Sequence, residues 1–456
     1  MDLPLPTATG RRPLPPGAMV REGRVHRAAY VDPEVFELEM DRVFGRAWLY
    51  LCHESQVATP GRFFSTQMGR QPVIVARDRG GALRVLFNRC THRGAKLTMD
   101  ESGQAKRFVC CYHGWAFELD GRLAEVPLPE GYGPPGSYPP ADGSLDLVRV
   151  PRVESYRGFV FASLAPDGPG LLESLGPVAT SFDDMVDRAP GGVLEVAGGV
   201  SRHAYDGNWK LVIENHNDTL HPRFVHASSV AAARDQKDDA HSDGAGEVQI
   251  KQMRQNGAPA HVWEGLGIWT SAHGHSFMGD YHTDANMAAR TEEDPVQRAY
   301  RAALEETHGP ERTREILAVS RFNTIVYPNL SFMSRFRQLR VVQPVSVNRT
   351  VVTTYTFRMP LAPPEMFRDS IAFANVVNGV GSLVLTDDLE TYARVQDGLA
   401  SQGGDWVDVR RGLGGDADEA NGTLRGQTGT SEIHLRAQFA AWRRWMADDA
   451  APAVAA

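Results

Sequence analysis

Cysteine is scarce. Four residues in 456 (Cys52, Cys90, Cys110 and Cys111) cannot frame a disulfide scaffold in a chain of this size. Long apolar runs are missing too. No stretch of eighteen apolar residues occurs, which argues against a transmembrane helix. Positive charge is not in excess: the net charge is -8, so nothing favours nucleic acid or an anionic membrane as partner. Arg11-Arg12 begins like a twin-arginine export signal, but Pro-Leu-Pro-Pro-Gly follows where an apolar segment is required. Few cysteines and no export signal together point to the cytoplasm, where thiolates stay available for metals.

What is present is an ordinary globular balance, 42% hydrophobic and 23% charged, over a length that suits two domains. Residues 1–45 read as a Pro/Gly/Arg-rich arm and a helix. Asp32 is its N-cap, Pro33 its first residue, and Val35, Leu38, Val43 and Phe44 form its apolar face. From 46 to 165 short β-type runs recur between Gly, Asp and Asn: 62–67, 72–77, 83–88, 107–111 and 159–162. These predict a small antiparallel β domain, interrupted by a breaker-rich loop over 126–142. A linker-like stretch, 165–176, leads to an α+β region over 177–450. Strands are expected at 200–205, 323–327 and 350–359, and helices at 294–307, 364–378 and 431–448. The Gly/Asp-rich stretch 403–430 reads as a loop, and the Ala-rich end as a frayed tail.

Two matched pairs stand out in the β domain. Cys90-Thr91-His92 and Cys110-Cys111-Tyr112-His113 each follow an expected strand and each offer one thiol and one imidazole. Seventeen residues separate them, enough for one strand out and one back, so two hairpin tips can share one centre. In a Rieske centre two thiolates bind one iron and two histidines the other, which raises the potential above that of an all-cysteine cluster. Gly94 and Gly114 follow the ligands, where the chain must turn tightly and can aim backbone N–H groups at sulfur. Spacing alone leaves a structural Cys2His2 zinc site open.

Cys90-Thr91-His92-Arg93-Gly94 and Cys110-Cys111-Tyr112-His113-Gly114-Trp115 resemble the signature of Rieske non-haem iron ring-hydroxylating oxygenase large (alpha) subunits. Cys111 departs from the pattern of many relatives and reads as a bystander, because Cys110 has the right offset to His113. Cys52 has no partner ligand and is expected to be buried.

A chain this long needs more than a cluster. After Asn208-Trp209-Lys210 come Glu214, Asn215, His216, Asp218, His221 and His226. Asp218 and His221, three apart, share a helix face. His221 and His226, five apart, lie roughly 140° around a regular helix, so both reach one metal only if the helix distorts or ends between them. Pro222 supplies the reason. His216 has no breaker between it and His221 and is set aside. Two histidines and a carboxylate make the facial triad of non-haem Fe(II) oxygenases. Asp387 and Asp388 are the downstream candidates for the acid.

The segment Asn-Trp-Lys…Glu-Asn…Asp…His…His also resembles the catalytic domain of the same family. So does the acidic stretch running on to Val395-Gln396, and matching it places the ligand at Asp388, with Asp387 as fallback. The resemblance covers about residues 30–448. It implies a small antiparallel β Rieske domain joined to a helix-grip α+β catalytic domain, with one [2Fe-2S] cluster and one Fe(2+) per subunit. It also implies a homotrimer in which Asp218 bridges His113 of one chain to His221 of the next. NAD(P)H electrons then arrive through a reductase or ferredoxin, and length and spacing favour a small beta subunit (alpha3beta3). The expected reaction is cis-dihydroxylation of an aromatic ring, with an aromatic acid as the candidate substrate. A monooxygenase or demethylase on the same architecture is the alternative, and a Rieske electron carrier with a structural large domain is the second.

For the substrate pocket the segments 216–224, 263–278 and 322–337 are expected to contribute. Phe224, Trp269, Phe277 and Phe332 are the candidate ring contacts. Arg335, Arg337 and Arg340 are the candidate carboxylate partners.

Overall fold

The computed structural model describes residues 14–134, 136–235, 250, 253–279, 295–319, 321–382 and 384–447. The chain forms two compact units, one of residues 44–171 and one of residues up to 43 together with those from 172 onward. The content is α+β with antiparallel sheets throughout, as the fold-class expectation required.

The smaller unit holds three short sheets. Strands β1 (Leu49–His53), β2 (Arg62–Met68), β3 (Gln71–Arg77), β4 (Leu83–Phe87), β5 (Ser102–Gln104), β6 (Phe108–Val109), β7 (Ala116–Phe117), β8 (Leu123–Glu125), β9 (Arg152–Tyr156) and β10 (Phe159–Ser163) follow one another with tight turns. They pair as β4-β3-β2-β5, β8-β7-β6 and β9-β10-β1. Val73, Ile74 and Val75 on β3 are fully buried, a continuous apolar run rather than an alternation, because this central strand is covered on both faces. Phe63, Ile74, Leu86, Phe108, Trp115 and Phe117 form a core that also includes Cys90 and Cys110. Cys52 is buried in β1, as expected, and burial pushes its thiol pKa up.

The larger unit is organised on one long sheet. Strands β11 (Glu195–Val196), β12 (Ser201–Tyr205), β13 (Ile268–Thr270), β14 (Ser276–Met278), β15 (Asn323–Val326), β16 (Leu330–Met333), β17 (Gln338–Ser346), β18 (Arg349–Arg358), β19 (Ala417–Asp418) and β20 (Leu424–Arg425) order as β11-β18-β17-β16-β15-β14-β13-β20-β19, with β12 also on β18. Helices α1 (Pro33–Arg42), α2 (Trp209–His216), α3 (Pro222–Val225), α4 (Ala227–Asp235), α5 (Pro364–Asn378), α6 (Leu385–Ala400) and α7 (Ile433–Met446) belong to the same unit. α2 packs on β17, α5 on β18 and α7 on β13.

The start of α1 follows from chemistry. Asp32 accepts the Glu34 N–H at 2.9 Å and Pro33 opens the helix. Three expectations need correction. The stretch 403–430 contains β19, β20 and the strand Trp406–Asp408; β20 and Trp406–Asp408 pair with strands far away in sequence, and β19 pairs with β20. The arm is a hairpin, Val20–Arg21 with Arg24–His26, completed by Trp406–Asp408; residues 1–13 lie outside the described part, as does the Ala-rich tail. The stretch 165–176 includes a short helix, Leu171–Leu175.

Candidate metal centres

The two ligand loops of the smaller unit use one backbone scheme. Cys90 N–H donates to Ala95 O and Gly94 N–H returns to Cys90 O, at 2.8 and 2.9 Å. Cys110 N–H donates to Trp115 O and Gly114 N–H to Cys110 O, at 2.8 and 3.0 Å. Both glycines have positive φ, 79° and 72°, which only glycine adopts at little cost. Their N–H groups therefore close the loops and are not free for sulfur. The groups that do point at the Cys90 sulfur are the N–H of His92 and of Arg93.

The side chains come together in like pairs, histidine with histidine and cysteine with cysteine. The rings of His92 and His113 are 4.6 Å apart at 67°, and His92 stacks on buried Trp115 at 4.6 Å and 5°. The thiols of Cys90 and Cys110 are within hydrogen-bond reach, and burial first, then this neighbour, raises the Cys90 pKa. Nδ1 of His92 and Nδ1 of His113 are buried without a hydrogen-bond partner. Two adjacent thiols and two orphaned imidazole nitrogens fit a two-thiolate, two-imidazole cluster. Cys111 is exposed, outside the set.

The second constellation begins at Asn208. Its side chain caps α2 by accepting the Lys210 N–H at 3.1 Å, and its Nδ2 donates to Tyr30 O and Val347 O. Fully buried Glu39 accepts from the indoles of Trp209 (2.8 Å) and Trp442 (2.7 Å) and pairs with Lys210. This anchors the start of α2, the helix that leads to the histidines. Sequence reading gave Glu39 no role.

α2 ends at His216, earlier than Pro222. Asp218 and His221 therefore share a turn and not a helix face. Asp218 Oδ1 accepts the N–H groups of Leu220 and His221, at 2.6 and 3.2 Å, and so caps the turn that carries His221. Pro222 then starts α3, and His226 is its C-cap. The break between the histidines exists, and two short helical turns make it.

The geometry then converges. His221 Nε2 and His226 Nε2 lie 3.6 and 3.5 Å from Asp388 Oδ1. All three donors lie within 4.8 Å of one another, close enough for one metal ion. Asp387 is not among them; its Oδ2 lies 3.3 Å from His226 Nδ1. Asp218 Oδ2 lies 3.8 Å from His221 Nδ1, beyond hydrogen-bond length but within ion-pair range. Each histidine thus has a carboxylate behind it, the pattern that fixes a ligand's tautomer and orientation. Asn215 Nδ2 approaches both His221 Nε2 (3.1 Å) and Asp388 Oδ1 (3.4 Å).

Charge follows this layout. Burial opposes ionisation of Asp218, but His221 and the Leu220 N–H outweigh it and hold the carboxyl at about 2. Burial likewise opposes a charge on His221, and Asp218 with Asp388 overcomes it, so its pKa rises. Burial raises the pKa of Asp388 despite both histidines.

A cavity opens beside the three donors, and its apolar wall includes Val212, Phe322, Met333, Phe373 and Val377. The aromatic expectations fail here. Phe224 is 68% exposed, Trp269 and Phe277 stack on each other at 5.3 Å, and Phe332 packs on Phe182. Among the described residues, the aromatic side chains that line the cavity are Phe322, Phe373 and Tyr392. Of the three arginines, Arg335 is exposed, Arg337 donates to Ser370 and Met366 O, and Arg340 lines the cavity. His216 lines it too, away from the three donors.

A cluster-ligand unit plus a two-histidine, one-carboxylate unit define a class of oxygenase that takes up electrons at one site and uses them at another. The comparisons agree. Residues 47–149 match the Rieske [2Fe-2S] domain, and residues 194–448 match the ring hydroxylating alpha subunit (catalytic domain). The chain is 37% identical to the toluate 1,2-dioxygenase subunit alpha of Pseudomonas putida, covering 85% of this chain and 81% of that one. It is 35% identical to the 2-halobenzoate 1,2-dioxygenase large subunit of Burkholderia cepacia, over 85% and 80%. A naphthalene 1,2-dioxygenase structure with bound phenanthrene superposes with a TM-score of 0.77 at 27% identity, over 94% of both chains. The chain belongs to the Rieske ring-hydroxylating oxygenase large (alpha) subunit family. It is a terminal oxygenase component, supplied with electrons by partner proteins, and its cofactors are a [2Fe-2S] cluster and a mononuclear iron. The zinc and pure-carrier readings fall with that result. Among the described residues no helix is long and apolar enough to cross a membrane.

Proposed function

We propose that the protein cis-dihydroxylates an aromatic acid, with Cys90, His92, Cys110 and His113 holding the cluster and His221, His226 and Asp388 holding the iron. The convergence of His221 Nε2, His226 Nε2 and Asp388 Oδ1 carries this reading. Two relatives named for toluate and halobenzoate support the choice of an acid. When bound, the cluster supplies single electrons and the iron supplies the chemistry of dioxygen. The chain's own residues do the rest. Asp387 keeps the proton of His226 on Nδ1, and the charge of Asp218 at ion-pair distance favours the same for His221, which leaves each Nε2 lone pair for metal. Asp388 adds the negative charge. The three donors occupy one side, and the apolar wall of Val212, Phe322 and Phe373 receives the ring on the other and excludes water.

The active assembly is a homotrimer with a small beta subunit, in the cytoplasm, in which Asp218 bridges His113 of one copy to His221 of the next. NAD(P)H is the electron source, through a reductase or ferredoxin. The functional domains run over 46–165 and 177–450, with the N-terminal segment 1–45 assigned to the latter. The test is turnover of benzoate with a surrogate reductase under labelled dioxygen. Two labelled oxygens in one diol are expected; a single labelled oxygen assigns the protein to the monooxygenases.

A further inference from the structure

One end of the cavity is polar in a way that metal binding does not explain. Arg340 lies on β17 opposite Ser331 of β16 and Thr354 of β18, and it is 5% exposed. One terminal nitrogen donates to Asn323 Oδ1 at 2.8 Å. Its Nε–H is buried and has no partner among the described residues. Among the described residues no carboxylate forms an ion pair with it. The acid whose charge it feels is Asp388, already committed to His221 and His226. Burial pushes its pKa down to about 10.

Its surroundings are unsatisfied as well. Among the described residues, both ring nitrogens of His203 and Nδ1 of His216, which share the cavity with it, have no hydrogen-bond partner. Neither do the hydroxyls of Ser331 and Thr354 on either side of it. Native proteins rarely leave buried polar groups unpaired, and a buried guanidinium without an anion is costlier still. An anion entering the cavity removes both costs at once. Burial of the charge also excludes the water that would otherwise compete for it.

We propose that Arg340 is the carboxylate anchor of the substrate. Its free Nε–H and guanidinium charge hold an aromatic monocarboxylate while the Asn323 bond stays in place and fixes the plane of the group. The ring then lies along the apolar wall toward Asp388, and neutral arenes are selected against because they leave the arginine unpaired. This rests on the reading that the site oxygenates an aromatic ring.

The experiment uses the reconstituted holoenzyme as wild type, Arg340→Gln and Arg340→Lys. Benzoate binding is measured by calorimetry in the resting enzyme, and turnover of benzoate and of neutral benzamide is measured with a reductase. Visible absorbance of the cluster checks folding. The Gln variant is expected to bind benzoate about 10- to 100-fold more weakly, the loss of a charged hydrogen bond. KM for benzoate rises with kcat changed little, benzamide gains relative to benzoate, and the Lys variant recovers part of the affinity. Should the Gln variant not fold, a Lys variant at wild-type affinity and selectivity overturns the proposal, since lysine lacks the fork and the Nε–H. Equal benzoate affinity in wild type and Gln variant, within twofold, overturns it. So does wild type that binds no benzoate. Arg340-dependent binding without diol formation leaves the anchor standing and refutes the dioxygenase reading instead.

Discussion

Glu39 offers the sharpest test of how the metal-bearing segment is held. It is fully buried and receives three donors: the indoles of Trp209 and Trp442 and the ammonium of Lys210. Burial lowers the Lys210 pKa, and Glu39, with a smaller contribution from Glu214, opposes this. In Glu39→Gln the amide oxygen still accepts one indole, but the amide NH2 faces donors, and the ammonium loses its counter-charge. Breaking a buried pair by removing one partner costs about 3–5 kcal/mol. Lys210→Met leaves the carboxylate with only two neutral donors and is destabilising too. The double variant removes both charges, and its cost falls below the sum of the singles by ~1–2 kcal/mol. Urea unfolding followed by tryptophan fluorescence measures all three. Because Trp209 and Lys210 open the helix that leads to Asn215 and His221, Glu39→Gln also lowers retained mononuclear iron while cluster absorbance holds. A single-variant cost under about 1 kcal/mol, or strict additivity in the double, refutes the picture of a coupled buried hub.

Two further outcomes follow from the same geometry. Asp387→Ala removes the acceptor behind His226 and weakens iron binding about 10- to 100-fold in a chelator competition, with the cluster spectrum unchanged. Burial, partly offset by Tyr30 and Lys210, raises the Glu214 carboxyl from 4.5 to about 8. The folded chain then keeps a proton that the unfolded chain releases, so this contribution is complete below pH ~4.5 and fades as pH climbs toward 8. Glu214→Gln has no such fade, and its urea midpoint gains on wild type steadily between pH 5 and 8.

The convergence of His221 and His226 was legible because its signals are local. Cys90 and His92, Cys110 and His113, and His221 and His226 each lie within a few residues of each other, next to turn formers. Five of the ten strands of the smaller unit were legible for the same reason, while Leu49–His53, Ser102–Gln104, Ala116–Phe117, Leu123–Glu125 and Arg152–Tyr156 were not. What was not legible depends on distant partners. Asp387 and His226 are 161 residues apart in the chain, and nothing nearby announces that one backs the other. The three aromatic cavity residues look no different in sequence from the four core or surface ones that were expected instead. Arg340 was one of three equal candidates. Only the register of β17 aims it at the inner face, while Arg337, at positive φ just before the strand, turns toward Ser370. The end of α2 was misjudged because proline is a strong stop signal, whereas Asn217 and the Asp218 cap act five residues sooner.

Asp387 and Asp388 are neighbours in the first turn of α6, yet one faces the back of His226 and the other faces the metal-side nitrogens. A single rigid rod therefore sets two alignments that act in parallel. Sliding α6 along its axis by one residue, about 1.5 Å, moves the carboxylate out of reach and unlatches the imidazole in the same motion. The carboxylate that faces His221 and His226 and the brace behind His226 therefore both depend on the register of this one helix.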